Sequence, residues 1–173
     1  MPLPRRWLSS LLVRVGGDVI LFDCGEGTQI AWRATGWSFR RLSTICISHT
    51  HSDHIAGLPG LLHTVANTGR TEPIAILGPV GLAAVVQGLR VIAPELPYQV
   101  HVRELASGDT FPLPDGVEGT CVAGEHALPV LAYRLDLHRR RRFLADRART
   151  LAVPTNLWRK LQDGQPVTLD GRV

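Results

Sequence analysis

The chain has little of several things, and each shortage removes a class of answers. It holds three cysteines, Cys24, Cys46 and Cys121. An odd count with no C-x-x-C pair excludes a disulfide framework and a cysteine zinc knuckle. No apolar run reaches the ~18–20 residues that cross a bilayer, and the opening MPLPRRWLSS lacks the apolar core of a signal peptide. These absences predict a soluble cytoplasmic protein with no membrane partner. Aromatic residues are only 6%, so Trp7, Trp32, Trp37 and Trp158 read as scattered core or rim residues rather than a base-stacking platform. Lysine is nearly missing: every basic residue except Lys160 is an arginine.

What is present is globular. Of 173 residues 45% are hydrophobic and 20% charged, enough apolar side chain to bury a core in one domain or part of a larger one. A net charge of +4 leans mildly toward phosphate-bearing partners. Short apolar runs at 8–15 and 19–23, split by Gly16-Gly17-Asp18, predict a hairpin. Residues 28–35 predict a short helix, 44–48 (TICIS) a buried strand, 55–68 a helix despite Pro59, 73–77 a strand and 80–92 a helix. Strands follow at 98–105, 117–123 and 130–137, then two short helices at 143–151 and 156–162. Strands alternating with helices, followed by a run of strands, predict a mixed α/β sheet with helices packed outside.

The chemistry concentrates in Ser48-His49-Thr50-His51-Ser52-Asp53-His54. Four potential metal ligands fall within six positions, directly after an apolar strand that carries the loop to the sheet's edge. His49 and His51 are two apart, so on extended chain they lie on one side and can grip one ion. Asp53 and His54 come as the loop turns into a helix, so they point elsewhere and suit a second ion. Imidazole and carboxylate together suit zinc and related divalent metals. His63, His101 and His138 sit in a helix, in a strand and before an arginine run, and none is assigned chemistry.

H-x-H-x-D-H is the signature of the metallo-β-lactamase superfamily. Its flanks, LFDCGEGTQ at 21–29, IAGLPGLL at 55–62 and Gly78-Pro79-x-Gly81, resemble ribonuclease Z, the tRNA 3′-processing endoribonuclease. The resemblance continues at Glu125-His126-x-x-Pro129, Tyr133-Arg134, Arg142-Phe143 and Leu151-Ala152-Val153-Pro154, and on to Asp170-Gly171. It implies an αββα sandwich, of which this chain would hold the N-terminal half and the start of an exosite arm. The domains would then be 1–137, a partial metallo-β-lactamase domain, and 138–173, the arm and the start of a following strand.

The resemblance also implies roles. His49, His51 and His126 would bind a first zinc, and Asp53 and His54 a second. Asp53 would act as the general base in hydrolysis by a metal-activated water, while Asp23 would order the histidine loop. Arg139, Arg140, Arg141 and Arg142 would grip pre-tRNA. The family's remaining metal ligands, a bridging aspartate and a final histidine, would lie beyond Val173, and an opening strand ahead of Met1. The chain therefore reads as truncated at both ends, with about one zinc expected in place of two and doubtful activity alone. An incomplete sandwich further predicts an uncovered apolar sheet face, met by homodimerisation or by a missing C-terminal half. Two other functions stay open at this point: another hydrolase of the superfamily acting on esters, thioesters or lactams, and a non-catalytic RNA-binding half that needs a partner chain.

Overall fold

The computed structural model describes residue 3, residues 6–137 and residues 143–168. The arginine run at 139–142 and Asp170-Gly171 lie outside the described residues. The chain divides into two compact units, Met1–Asp136 and Leu137–Val173.

The first unit opens with β1 (Leu11–Val15) and β2 (Asp18–Phe22), an antiparallel hairpin turned at Gly16, whose positive φ of 55° favours glycine. Then come α1 (Thr28–Ala34), a 3₁₀ turn at Phe39–Arg41, β3 (Leu42–Cys46), α2 (Ser52–Ile55) and α3 (Leu58–Ala66). β4 (Ile74–Gly78), α4 (Leu82–Leu89) and β5 (Val100–Glu104) complete a five-stranded sheet in the order β1-β2-β3-β4-β5. β2 through β5 run parallel, as strands joined by helical crossovers do. A smaller sheet follows, β6 (Thr110–Pro112), β7 (Val117–Ala123) and β8 (Leu131–Leu137). β6 carries no alternating signal of its own and escapes the sequence reading, because only Phe111 of its three residues is buried.

Two cores result. The helices bury Trp32, Leu58, Leu61, Leu62, Val65, Leu82 and Val86 against Val19, Leu21, Ile45, Ile74 and Ile76 on one face of the large sheet. At roughly 1.5–3 kcal/mol per fully buried aliphatic side chain, this layer is the main stabilising element of the unit. The opposite face meets the small sheet through Ile20, Cys46, Leu77, Phe111, Val117, Cys121 and Leu131.

Among the described residues, the uncovered apolar sheet face expected from the sequence is not seen. Alternation along β7 and β8 turns Glu118, Thr120, Val122, Ala132, Arg134 and Asp136 away from this core, and Arg134 pairs with Asp136 at 2.7 Å. The inward residues of both strands already have the large sheet as cover.

The single helix expected over 55–68 is two. α2 and α3 break at Gly57, where there is no room for a Cβ against the backbone of Gly25, and the Gly57 N–H donates to the Cys24 carbonyl at 2.8 Å. Pro59 then sits in the first turn of α3, where its missing N–H costs nothing. This close packing of two glycine-bearing segments clamps the chain that leaves the histidine loop to the segment just after β2.

The second unit contains α5 (Ala145–Thr150), a 3₁₀ turn and α6 (Trp158–Gln162). Trp158 is its hub. The ring packs on Phe143 with centroids 5.1 Å apart, its Nε1–H donates to the Val153 carbonyl at 2.9 Å, and Arg149 lies over it at 5.6 Å. Arg147, Arg149, Arg159 and Lys160 are exposed.

Candidate metal centre

β3 ends at Cys46, and the loop behind it is fixed at several points. The Ile47 N–H donates to Leu77 O at 2.8 Å, the Leu131 N–H to Ser48 O at 2.9 Å, and the Tyr133 hydroxyl to Ile47 O at 2.8 Å. Both sheets thus hold the chain just before His49.

Asp23, one residue past β2, orders the histidines. Its backbone takes a left-handed φ of 56°, and its Oδ1 accepts the Ser48 N–H at 2.7 Å. Oδ2 accepts the Ser48 hydroxyl at 2.9 Å and His54 Nδ1–H at 2.7 Å. Since the Ser48 proton goes to Asp23, its Oγ is left to accept from His49 Nδ1 at 3.0 Å. That arrangement assigns the free nitrogen, Nε2, to both His49 and His54, the tautomer a metal ligand needs.

His49, His51 and His126 each offer a nitrogen, and the three nitrogens lie within 4.8 Å of one another. His51 Nδ1 and His126 Nε2 are 3.1 Å apart. A tetrahedral ion with bonds of ~2.0–2.1 Å sets its ligands about 3.3 Å apart, so the donor set fits such an ion. Burial, followed by the neighbouring imidazoles of His54, His126 and His51, pushes the His49 pKa down, with Asp23 acting against them. His49 is thereby favoured in the neutral form that binds metal. Asp53 and His54 stand beside this group rather than in it: Asp53 Oδ2 is 3.5 Å from His54 Nε2, with the Asp53 side chain 53% exposed.

The chain is 45% identical over 173 residues, its whole length, to ribonuclease Z of Agathobacter rectalis, and 44% identical over 172 residues to ribonuclease Z of Lachnospira eligens. The likeness to these ribonucleases Z runs along the whole of this chain. The chain spans 57% of the length of each of these two curated relatives. Among solved structures, the short form of human tRNase Z superposes with TM-score 0.69 at 29% identity, covering 78% of this chain and 59% of that one. The metallo-β-lactamase fold protein YhfI from Bacillus subtilis gives 0.62 at 20% identity, covering 78% and 52%. The fold is a metallo-β-lactamase fold. The family model described as Anti-Pycsar protein Apyc1 matches residues 4–84, a span that includes His49, His51, Asp53 and His54 but not His126.

In this ribonuclease Z-like chain, His126 reaches the site from the β7–β8 loop, 75 residues from His51. Two residues near the histidines had no role in the sequence reading. Ser48 bridges Asp23 to two imidazoles, and Ser9 Oγ lies 3.4 Å from His54 Nε2. Neither belongs to a ligand pattern, because a serine acting through a neighbour leaves no spacing signal. His63 lies apart on α3 with Nε2 3.3 Å from Ile92 O, and His101 is exposed on β5. Trp32 is buried in the helical core, as its scattered placement suggested.

Proposed function

We propose that this chain is the histidine-loop portion of a zinc-dependent endoribonuclease that removes 3′ trailers from pre-tRNA. The observation that carries the reading is a full-length likeness to ribonuclease Z in a chain whose His49, His51 and His126 nitrogens converge.

In this reading His49, His51 and His126 hold one zinc, and Asp53 and His54 supply ligands to a second. Zinc at such a site supplies Lewis acidity toward phosphate oxygens and lowers the pKa of water. The residues of the chain do the rest. Asp53, whose side chain is 53% exposed and so accessible to a substrate, takes the proton from the attacking water at a carboxylate oxygen. The water oxygen bonds to phosphorus, the P–O3′ bond breaks, and the leaving O3′ takes up a proton from solvent while Asp53 releases the one it accepted. The products are a tRNA ending in a 3′-hydroxyl and a trailer beginning with a 5′-phosphate. Asp23 holds His54 and Ser48 in place throughout.

Residues 138–173 serve as the arm, with Arg139, Arg140, Arg141 and Arg142 gripping the tRNA phosphates. The working protein is a homodimer or includes a C-terminal portion that completes the second zinc site, and it acts in the cytoplasm. The test is cleavage of a 3′-extended pre-tRNA by the chain joined to the remaining length of its relatives, compared with a thioester and a lactam. Release of a 5′-phosphorylated trailer, lost in the His49→Ala variant, supports the reading. Hydrolysis of the small substrates without RNA cleavage overturns it.

A further inference from the structure

At the end of the large sheet opposite the histidines, a cavity of about 650 Å³ is lined by Asp18, Ser38, Arg40, Arg41, Arg70 and Glu72. These residues precede or begin β2, β3 and β4, whereas the histidine loop follows β3. The five residues of β3 alone separate the two places by about 17 Å.

Arg70 is only 6% exposed, and its guanidinium is spent on main-chain carbonyls: Nε–H donates to Glu72 O, Nη1–H to Arg40 O and Nη2–H to Pro73 O, at 2.6–2.9 Å. The buried Arg70 charge is met at contact distance by carbonyl dipoles and at longer range by the Glu72 carboxylate, so Arg40, Arg41 and Arg70 against Asp18 and Glu72 leave the lining one positive charge in excess. Arg40 and Arg41 are exposed, and Arg41 extends along the Gly16–Gly17 turn. Among the described residues, none of these three arginines has a carboxylate within 4.0 Å, although Asp18 and Glu72 share the lining. The positive surface widens beyond the cavity. Arg14 lies over the half-buried ring of Trp37 at 5.6 Å, and Arg33 over Phe39 at 5.8 Å. Trp37 and Phe39 flank Ser38 in the lining.

We propose that this cavity and the arginines around it form a second RNA-contact surface, which binds phosphates of a strand lying across the N-terminal ends of β2, β3 and β4. Guanidinium groups match phosphate oxygens bidentately, and an aromatic–arginine pair beside them suits a nucleic acid strand better than an isolated small anion. The inference rests on RNA being the ligand of this protein, as proposed above, but not on cleavage.

The test uses the 173-residue chain with a fluorescein-labelled, 3′-extended pre-tRNA, and reads anisotropy against salt. Arg40→Ala with Arg41→Ala removes two side chains but keeps the Arg40 carbonyl that holds Arg70. Loss of two phosphate contacts is expected to weaken binding roughly tenfold near 0.1 M salt and to flatten the salt slope by about 1.5. Arg90→Ala with Arg103→Ala removes the same charge elsewhere and is expected to change affinity less than threefold. An equal loss in both double variants overturns the proposal, because net charge alone would explain it. An unchanged affinity in the first variant overturns it and leaves the catalytic reading standing, and no RNA binding by the unaltered chain overturns it too, since the catalytic reading is tested separately by cleavage with the longer protein. Pyrophosphate is the second probe: binding dependent on Arg40 and Arg41 and tighter than that of RNA makes the site one for free oligoanions and overturns the RNA assignment.

Discussion

Asp23 Oδ2 and His54 Nδ1 lie 2.7 Å apart, although 31 residues separate them in the chain. The contact joins the end of β2 to the start of α2, and the other oxygen of the same carboxylate fixes the Ser48 N–H. Asp23→Asn keeps the size but loses the charge and one acceptor. Its single amide oxygen cannot accept the Ser48 N–H and the His54 Nδ1–H together, since these reach different carboxylate oxygens. Zinc affinity is expected to fall 10–100-fold, as for other groups that orient metal ligands, with a stability loss of about 1–2 kcal/mol. Competition with a chromophoric chelator measures the first and urea unfolding the second. Zinc affinity within twofold of the unaltered chain would remove Asp23 from any orienting role.

The three-histidine group makes a separate expectation about stoichiometry. His126 is exposed, so His126→Ala is expected to leave the melting temperature in EDTA within about a degree while abolishing tight zinc binding. Asp53→Ala leaves all three histidines and is expected to keep about one zinc per chain. Elemental analysis after gel filtration checks both, and two tightly held ions per chain would show that further groups complete a second site.

Much of this organisation is legible in the sequence, for physical reasons. A five-residue apolar strand followed by H-x-H-x-D-H must deliver those side chains to one edge of the sheet, and β3 does so. The helix over 55–68 misreads because periodicity records which residues face the core. It does not record that Gly57 must lie flat on Gly25. Convergence of His126 was legible only through resemblance, since no local pattern reports a contact across 75 residues. The polar outer face of β7 and β8 needed only the alternation of Glu118, Thr120, Arg134 and Asp136. An expectation drawn from the incomplete sandwich that the resemblance implies hid it.

Alkaline pH should expose the buried acids of the core. Burial pushes the Cys24 and Cys46 thiols from 9.0 up to about 12, and the Tyr98 hydroxyl from 10.0 up to about 12. In the unfolded chain these groups lose their protons first, so the folded state binds more protons above pH 9 and stability falls as pH rises. Below pH 9 both states are protonated and the contribution is constant. Each group can steepen the loss by up to about 1.4 kcal/mol per pH unit until its folded pKa is reached. Urea midpoints in EDTA at pH 8, 9.5 and 10.5 should decline progressively, and less so with Cys24→Ala and Cys46→Ala combined. A flat profile to pH 11 would contradict this.

Arg70 is expected to act as a structural staple rather than a ligand contact. It ties the carbonyl of Arg40, ahead of β3, to those of Glu72 and Pro73, ahead of β4. Arg70→Ala leaves three carbonyls without this donor, at about 1 kcal/mol each, so a loss of about 3 kcal/mol is expected. Denaturant unfolding gives the value. A change below 0.5 kcal/mol would mean that water replaces the guanidinium at no cost.

The arm supplies the remaining expectation. Four successive arginines at 139–142 would carry a large desolvation cost if buried unpaired, and this charge run is the sequence-level reason to test an RNA grip there. The same unit adds exposed Arg147, Arg149, Arg159 and Lys160 around the packing of Trp158. If this segment grips tRNA, its contribution must depend on salt, because each neutralised phosphate releases a counterion. Replacing Arg139, Arg140, Arg141 and Arg142 with alanine should lower pre-tRNA affinity and flatten its salt slope by up to about 3. Trp158→Ala should lower affinity with less effect on the slope, because it disturbs the placement of charges without removing any. Anisotropy titrations from 50 to 200 mM salt separate the two effects. If the quadruple variant keeps both its affinity and its slope, the arm is not the RNA grip and the basic charge there is only a solvated face.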